Sequence, residues 1–484
     1  MPKIYGLVVE IFKLPETITV EQQEGIVENI RSGLERTLEQ YPIMVGDLEW
    51  DPASGEVGVR KNRDSALGLE VRYLDGEGEE FPTFNSWKRG IRKVFPDFTS
   101  GLLAAENVPA ATFQLTFFRG GCTIGWAVHH QLSDGACFEQ FMTLWADNSR
   151  AAAQGTAFPP TQFEFSKSGS ITHSLPIIPY KPIEKTLDIK GSPLEAERPS
   201  PARWEQIKDS FPELTEEPAA PLPEGFVFPE VVSTMWHFPK KKVEQLKAET
   251  MAQVGEGKWI STYDAIMALM WQSVTRARLD FLKPDHNAHS VLGHMVDIRK
   301  KIGFSGRFIG ITSLPPQCGP LTIKELVDPA NHAKVASTVR SSINSLTPEY
   351  MADFNQYVAQ SSDKRRFRFD HQWFFGPDLG ATSWLHYQSY KQHDFGFGLP
   401  RAIRWPRPLV EYVYIFPTRR GVEGADADEG IEVCVALEAG CAKRMLNDPM
   451  LKWYANPRGN EPLGEMQSVV VEEAADAETL RAAL

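Results

Sequence analysis

The run His129-His130-Gln131-Leu132-Ser133-Asp134-Gly135 carries the most reactive spacing in the chain. Imidazole titrates near neutral pH, so a histidine here can take a proton from a hydroxyl or an amine and later return it. Asp134, four residues beyond His130, has two possible uses. It can orient the imidazole, or it can brace the turn by pairing with a distant arginine. Gly135 allows backbone geometry that other residues resist. Two histidines and an aspartate can equally do no more than end a strand and shape a turn. The surrounding elements therefore decide.

Those elements are a hairpin and a helix. Residues 112–118 alternate and are rich in β-formers, Arg119-Gly120-Gly121 signals a turn, and residues 122–128 read as the return strand. Ile124, Trp126 and Val128 fall on one face of that strand. Beyond Gly135, Phe138, Phe141, Met142 and Trp145 recur at i, i+3, i+4 and i+7, the apolar face of a helix. The histidines thus stand at a strand end before a glycine turn. A strand end holds a side chain rigidly, and the turn beyond it leaves room for a substrate.

The rest of the chain reads as α/β. Residues 3–12 form a strand, and Ile26, Val27, Ile30, Leu34 and Leu38 line one helix face. Pro42 stops that helix, and residues 43–48 return as a strand. Ser261 and Asp264 have the spacing of a helix cap. Ile266, Met267, Leu269, Met270, Trp271 and Val274 follow, apolar on most sides, as in a buried helix. Thirteen of the 35 prolines fall in residues 159–229, which breaks regular elements. The expected organisation is a domain at 1–190, a proline-rich crossover at 191–229 and a second domain at 230–484. Residues 419–430 read as a long loop between strands 410–416 and 431–437.

Composition sets the outer limits. The chain has 484 residues, 42% of them hydrophobic and 24% charged, with a net charge of −12. That is ordinary globular material, not a disordered chain. The negative balance argues against a nucleic-acid or anionic-membrane surface. Cys122, Cys137, Cys318, Cys434 and Cys441 are scattered and odd in number, as in a reducing compartment. No basic run leads into an apolar stretch at the start, no bilayer-length apolar run follows, and no N-x-[ST] sequon occurs. A cytoplasmic address is expected.

Other signals are weaker. Gly255, Gly257 and Lys258 do not have phosphate-loop spacing. His286, His289 and His294 lie close together, but a zinc site needs convergent geometry, and no metal is expected. Lys300-Lys301 and Lys364-Arg365-Arg366 are basic runs in an acidic protein. Such runs are candidates for a phosphorylated ligand, and equally for a solvated face.

HHxxxDG between a hairpin and an amphipathic helix resembles the active-site motif of the BAHD acyltransferases and their relatives, among them fungal trichothecene O-acetyltransferases. Asp394-Phe395-Gly396-Phe397-Gly398 resembles the DFGWG signature of that family, with Phe397 in place of tryptophan. Thr382-Ser383-Trp384 precedes it as a T-S-W does in the family. Tyr41-Pro42 with Gly46, residues 261–271 and Val296-Asp297-Ile298-Arg299 keep the family order, so the resemblance spans most of the chain.

The resemblance implies two α/β domains of the chloramphenicol-acetyltransferase type, with an active-site tunnel between them. It implies a CoA-dependent acyltransferase moving an acyl group, most simply acetyl, from acyl-CoA to a hydroxyl, or less readily an amine, of a secondary metabolite. His130 would be the general base, and the Trp384 indole N–H an oxyanion donor. Asp134 would pair with Arg299 and hold the loop. His129, Gly135, Gly396 and Gly398 would support structure, Asp394 would form a structural salt bridge, and Thr382 and Ser383 would line the substrate site. Acyl-CoA and a small acceptor would be the partners of a monomer. The alternatives are a condensation-type domain fed by a carrier protein and a catalytically silent binding protein.

Overall fold

The computed structural model describes residues 5–50, 57–60, 67–74, 108–160, 229–283, 285–316, 318–350, 376–406 and 408–458. In the first half the elements are β1 (Tyr5–Lys13), α1 (Val20–Gln40), β2 (Asp47–Trp50), β3 (Val57–Arg60), β4 (Leu69–Tyr73), β5 (Val108–Pro109), β6 (Ala111–Phe118), β7 (Gly121–His129) and α2 (Gly135–Gln154). The second half begins with β8 (Val231–Phe238), α3 (Lys240–Met251), α4 (Thr262–Leu282), β9 (His289–His294), β10 (Val296–Asp297), β11 (Ser313–Leu314) and β12 (Cys318–Thr322). It continues with α5 (Ile323–Val327), α6 (His332–Ser345), β13 (Leu379–Ser383), α7 (Ser389–Gln392), β14 (Ala402–Arg404), β15 (Tyr412–Ile415) and β16 (Ile431–Glu438). It ends with α8 (Ala439–Met445), α9 (Pro449–Tyr454) and β17 (Asn456–Pro457).

Two mixed sheets dominate. The first runs β14-β1-β7-β6-β4 and the second β12-β9-β13-β15-β16-β8-β17. This is an α/β fold with two sheet-and-helix layers. Among the described residues no helix is long and apolar enough to cross a membrane. The crossover at 191–229 lies, up to residue 228, outside the described residues.

Local chemistry explains the elements nearest the site. Thr19 and Gln22 form a capping box at the start of α1, and Ser261 and Asp264 form another at α4. The α4 residues Ala265–Val274 are all buried, so its apolar circumference marks a core helix. All nine residues of β7 are buried, because it is a central strand covered on both faces. The strand expected at 43–48 starts later. Pro42–Met44 is a 3₁₀ turn, Gly46 takes φ 137°, and extended backbone resumes at Asp47. The strand expected at 410–416 is shorter, because Glu411 sits at φ 58° and interrupts it.

The first layer is not built from the first half alone. β14 pairs antiparallel with β1, Val9 opposite Arg404 and Ile11 opposite Ala402. Trp384, Phe395, Ile403 and Tyr414 share one apolar cluster with Phe12, Trp126, Phe138 and Trp145. Buried polar groups reinforce the join. His393 lies with Nδ1 2.7 Å from Glu10 on β1, while Nε2 is 3.3 Å from the Thr143 hydroxyl and 3.6 Å from Glu139 on α2. Burial acts to lower its pKa, but the two carboxylates outweigh that and push it up to about 9. The imidazolium clamps the strand and the helix together.

Candidate active site

His130 follows the last residue of β7, where a tight turn closes with Leu132 N–H donating to His129 C=O at 3.0 Å. Its ring meets the edge of Phe138 at 5.8 Å. Among the described residues its Nδ1 is buried without a hydrogen-bond partner. Burial lowers the imidazole pKa below 6.5, and the nearby Asp134 charge only partly opposes this. The ring is therefore neutral at neutral pH, the form a base needs.

Asp134 is engaged elsewhere. It caps α2 by accepting from Cys137 N–H at 3.1 Å. Arg299 grips both carboxylate oxygens, Nη1 to Oδ2 and Nη2 to Oδ1, each at 2.9 Å. Oδ2 also accepts from Thr312 N–H at 2.9 Å and the Ser313 hydroxyl at 3.2 Å. Both side chains are only 1% exposed. Burial raises the carboxyl pKa, but the charge and hydrogen bonds of Arg299, with the backbone donors, overcome it and hold the group below its usual range. Arg299 is itself fixed by Phe308 C=O at 3.1 Å, Gly310 C=O at 2.5 Å and Asp297 at 3.1 Å. This clamp joins the turn after His130 to the second half of the chain.

Trp384 follows β13, whose last residues, Thr382 and Ser383, lie partly exposed opposite Tyr414 and Ile415. The indole stacks parallel to Trp126, with centroids 6.3 Å apart, and is 8% exposed. Among the described residues its Nε1 has no hydrogen-bond partner. An ideal Cβ on Gly135 would lie 3.4 Å from that nitrogen and 2.5 Å from the Tyr387 hydroxyl. Gly135 is thus required for space. It is not among the residues with positive φ, so the conformational role expected for it is corrected. We expect Gly135→Ala to displace Tyr387 and Trp384, costing about 1–3 kcal/mol of stability and over tenfold in turnover. Paired measurements of unfolding midpoint and initial rate check this.

His129 is fully buried, edge-on to Tyr5 at 5.1 Å, with Nδ1 accepting from Gln131 N–H at 3.3 Å. The salt bridge expected of Asp394 is not formed among the described residues. Its Oδ1 accepts from Gly396 N–H at 2.9 Å and Gly398 N–H at 3.1 Å. It shapes a turn whose glycines stand at φ 100° and 115°. Phe395 then packs edge-on against Phe12 and Trp145. The aspartate had a local use at hand in those two glycines.

Sequence reasoning missed Tyr387, the Thr312 and Ser313 donors, and the His393 clamp. A backbone donor such as Thr312 N–H leaves no mark on residue type. Of the basic runs, Lys301 is spent on the carbonyls of Ile343 and Leu346, Lys300 is exposed, and residues 364–366 lie outside the described residues. His286 and His289 are exposed, while buried His294 pairs with Tyr263 at 2.8 Å and Ser342 at 3.0 Å, so the three histidines do not converge.

Comparison with known proteins places the chain in a family and a fold. Residues 2–445 match the Transferase family. The chain is 26% identical to acetyltransferase FGR3 of Gibberella zeae over 93% of its own length and 86% of the relative's. It is 23% identical to acyltransferase easC of Emericella nidulans, covering 93% and 92% of the two chains. The crystal structure of F. graminearum TRI101 complexed with coenzyme A and deoxynivalenol superposes with TM-score 0.69 at 18% identity, over 94% of this chain and 96% of that one. The chain belongs to the Transferase family, that of the BAHD acyltransferases.

Proposed function

We propose that this acyltransferase moves an acetyl group from acetyl-CoA to a hydroxyl of a secondary metabolite, with His130 as general base. The observation that carries the reading is the full engagement of Asp134 by Arg299, Thr312 and Ser313. It keeps Asp134 off His130, whose burial holds the imidazole neutral and able to take a substrate proton. The acceptor oxygen attacks the thioester carbonyl carbon while His130 takes its proton. The intermediate collapses, the C–S bond breaks, and His130 returns the proton to the leaving thiolate. No covalent acyl-enzyme is needed, because both substrates meet one base and proximity supplies much of the rate.

The names of the relatives support this reading, acetyltransferase and acyltransferase, as does TRI101 crystallised with coenzyme A and a toxin. Exposed Lys300, next to Arg299, is available to a CoA phosphate. The two substrates would approach from opposite sides between the sheet layers of a monomer. A cytoplasmic address goes with the reading, since acyl-CoA is made and used inside cells.

The test is thiol release from acetyl-CoA across a panel of alcohols and amines, set beside an acylated carrier protein. Release with acetyl-CoA and an alcohol supports the reading. Turnover confined to the carrier, or silence with every donor, overturns it. The low imidazole pKa also sets the pH profile. The rate is expected to be flat from pH 6.5 to about 8 and to fall on acidification only below 6.5.

A further inference from the structure

Tyr387 lies three residues beyond Trp384, in the turn closed by Tyr387 N–H donating to Trp384 C=O at 2.9 Å. Its ring tilts against the indole at 5.6 Å. Its hydroxyl lies where a Gly135 side chain would begin, 2.5 Å from the ideal Cβ position. Trp384 Nε1 lies 3.4 Å from the same point. Neither donor has a hydrogen-bond partner among the described residues, although Trp384 is more than nine-tenths buried. Both donor atoms face accessible space rather than the sealed core, and two free donors that converge on one point form a place for a ligand oxygen.

The surroundings define what that atom is. Gly135 is the first residue of α2, a helix of 20 residues, so the donors meet at the positive end of its dipole. Asp134 is paired with Arg299, whose positive charge partly offsets it there. Burial raises the Tyr387 pKa well above 10, and the Asp134 and Glu139 charges add to this, so the hydroxyl keeps its proton. The place is linked to His130 through Phe138, whose ring lies 5.8 Å from the imidazole and 5.2 Å from Trp126, on which Trp384 stacks. Negative charge on oxygen that develops beside the base would find two preorganised donors.

We propose that the Tyr387 hydroxyl is a catalytic hydrogen-bond donor to the thioester oxyanion, paired with Trp384 Nε1. This rests on the acyl-transfer reading above. As the acceptor oxygen bonds to the carbonyl carbon and its proton passes to His130, the carbonyl π pair moves onto oxygen, which Tyr387 and Trp384 stabilise. When that pair re-forms C=O, the C–S bond breaks, and the thiolate takes the proton from His130. Tyr387 donates throughout and transfers nothing.

Tyr387→Phe tests this, because it keeps the ring and removes the donor. Its kcat with acetyl-CoA and an active alcohol should fall about 10²-fold. The KM for acetyl-CoA, the acid limb set by His130 and the unfolding midpoint should stay as in the parent. That split separates a transition-state donor from a packing residue, whose loss would shift the midpoint or KM. A Phe variant whose kcat stays within about twofold of an active parent overturns the assignment of Tyr387 and leaves the acyl-transfer reading standing. A parent silent with every donor overturns both.

Discussion

His130→Ala is expected to lower acyl transfer by about 10²–10⁴-fold, the usual contribution of a positioned general base. Little else should change. The ring is partly exposed, its Nδ1 bonds to nothing among the described residues, and its aromatic contact among them is with Phe138. Unfolding should therefore stay within about 1 kcal/mol of the parent. The residual rate should lose the acid limb below pH 6.5, since the group that titrates there is gone. Initial rates of thiol release between pH 5 and 8, with an unfolding curve for each protein, give both readings. Parent-like activity in the alanine variant would refute the mechanism.

Asp134→Ala should do the reverse, with a large loss of stability and a loss of activity that follows from it. The change strands a guanidinium that is 1% exposed, and removing one partner of a buried pair costs about 3–5 kcal/mol. It also removes the α2 cap, worth about 1 kcal/mol, and leaves Thr312 N–H without its acceptor. Against a total of about 5–15 kcal/mol this puts folding itself at risk. Asp134→Ala/Arg299→Ala leaves no lone charge, so it should be less destabilised than the sum of the single variants. Arg299→Lys keeps the charge but loses the two-pronged grip, and should fall between. The sign with pH is fixed. The carboxyl pKa is depressed in the fold, so the clamp contributes fully above about pH 4 and is lost as pH falls through the folded value. Urea unfolding midpoints decide the matter, and an unchanged midpoint for Asp134→Ala would sink the account.

Local signals in the sequence were the most legible. The cap at Ser261 and Asp264, the helix face through Trp145 and the all-round apolar α4 depend on residues within a turn or two of one another. The hairpin leading to His130 was equally plain, because a glycine turn and alternation are short-range. Long-range partners were another matter. Arg299 is 165 residues from Asp134 and was proposed through resemblance, whereas Thr312, Ser313 and Gly310 act through backbone groups or a single hydroxyl. Tyr387 had no signal, since one tyrosine after a tryptophan says nothing of where its hydroxyl points. Residues 43–48 misled because Pro42 and Gly46 bend a stretch whose apolar content alone suggested a strand. β14 has three residues, too few for any period to show.

That short strand has an effect on the order of events in the growing chain. β1 leaves the ribosome nearly 400 residues before Ala402–Arg404, the segment that closes its open flank. Until then a row of unpaired backbone groups on an almost wholly apolar strand stays open to any passing edge, which is the condition for mispairing. His393, Phe395 and Trp384 arrive with the same late segment, so the helix behind His130 gains these neighbours only then. The turn at His130 is therefore made well before the late segment that packs against the helix behind it.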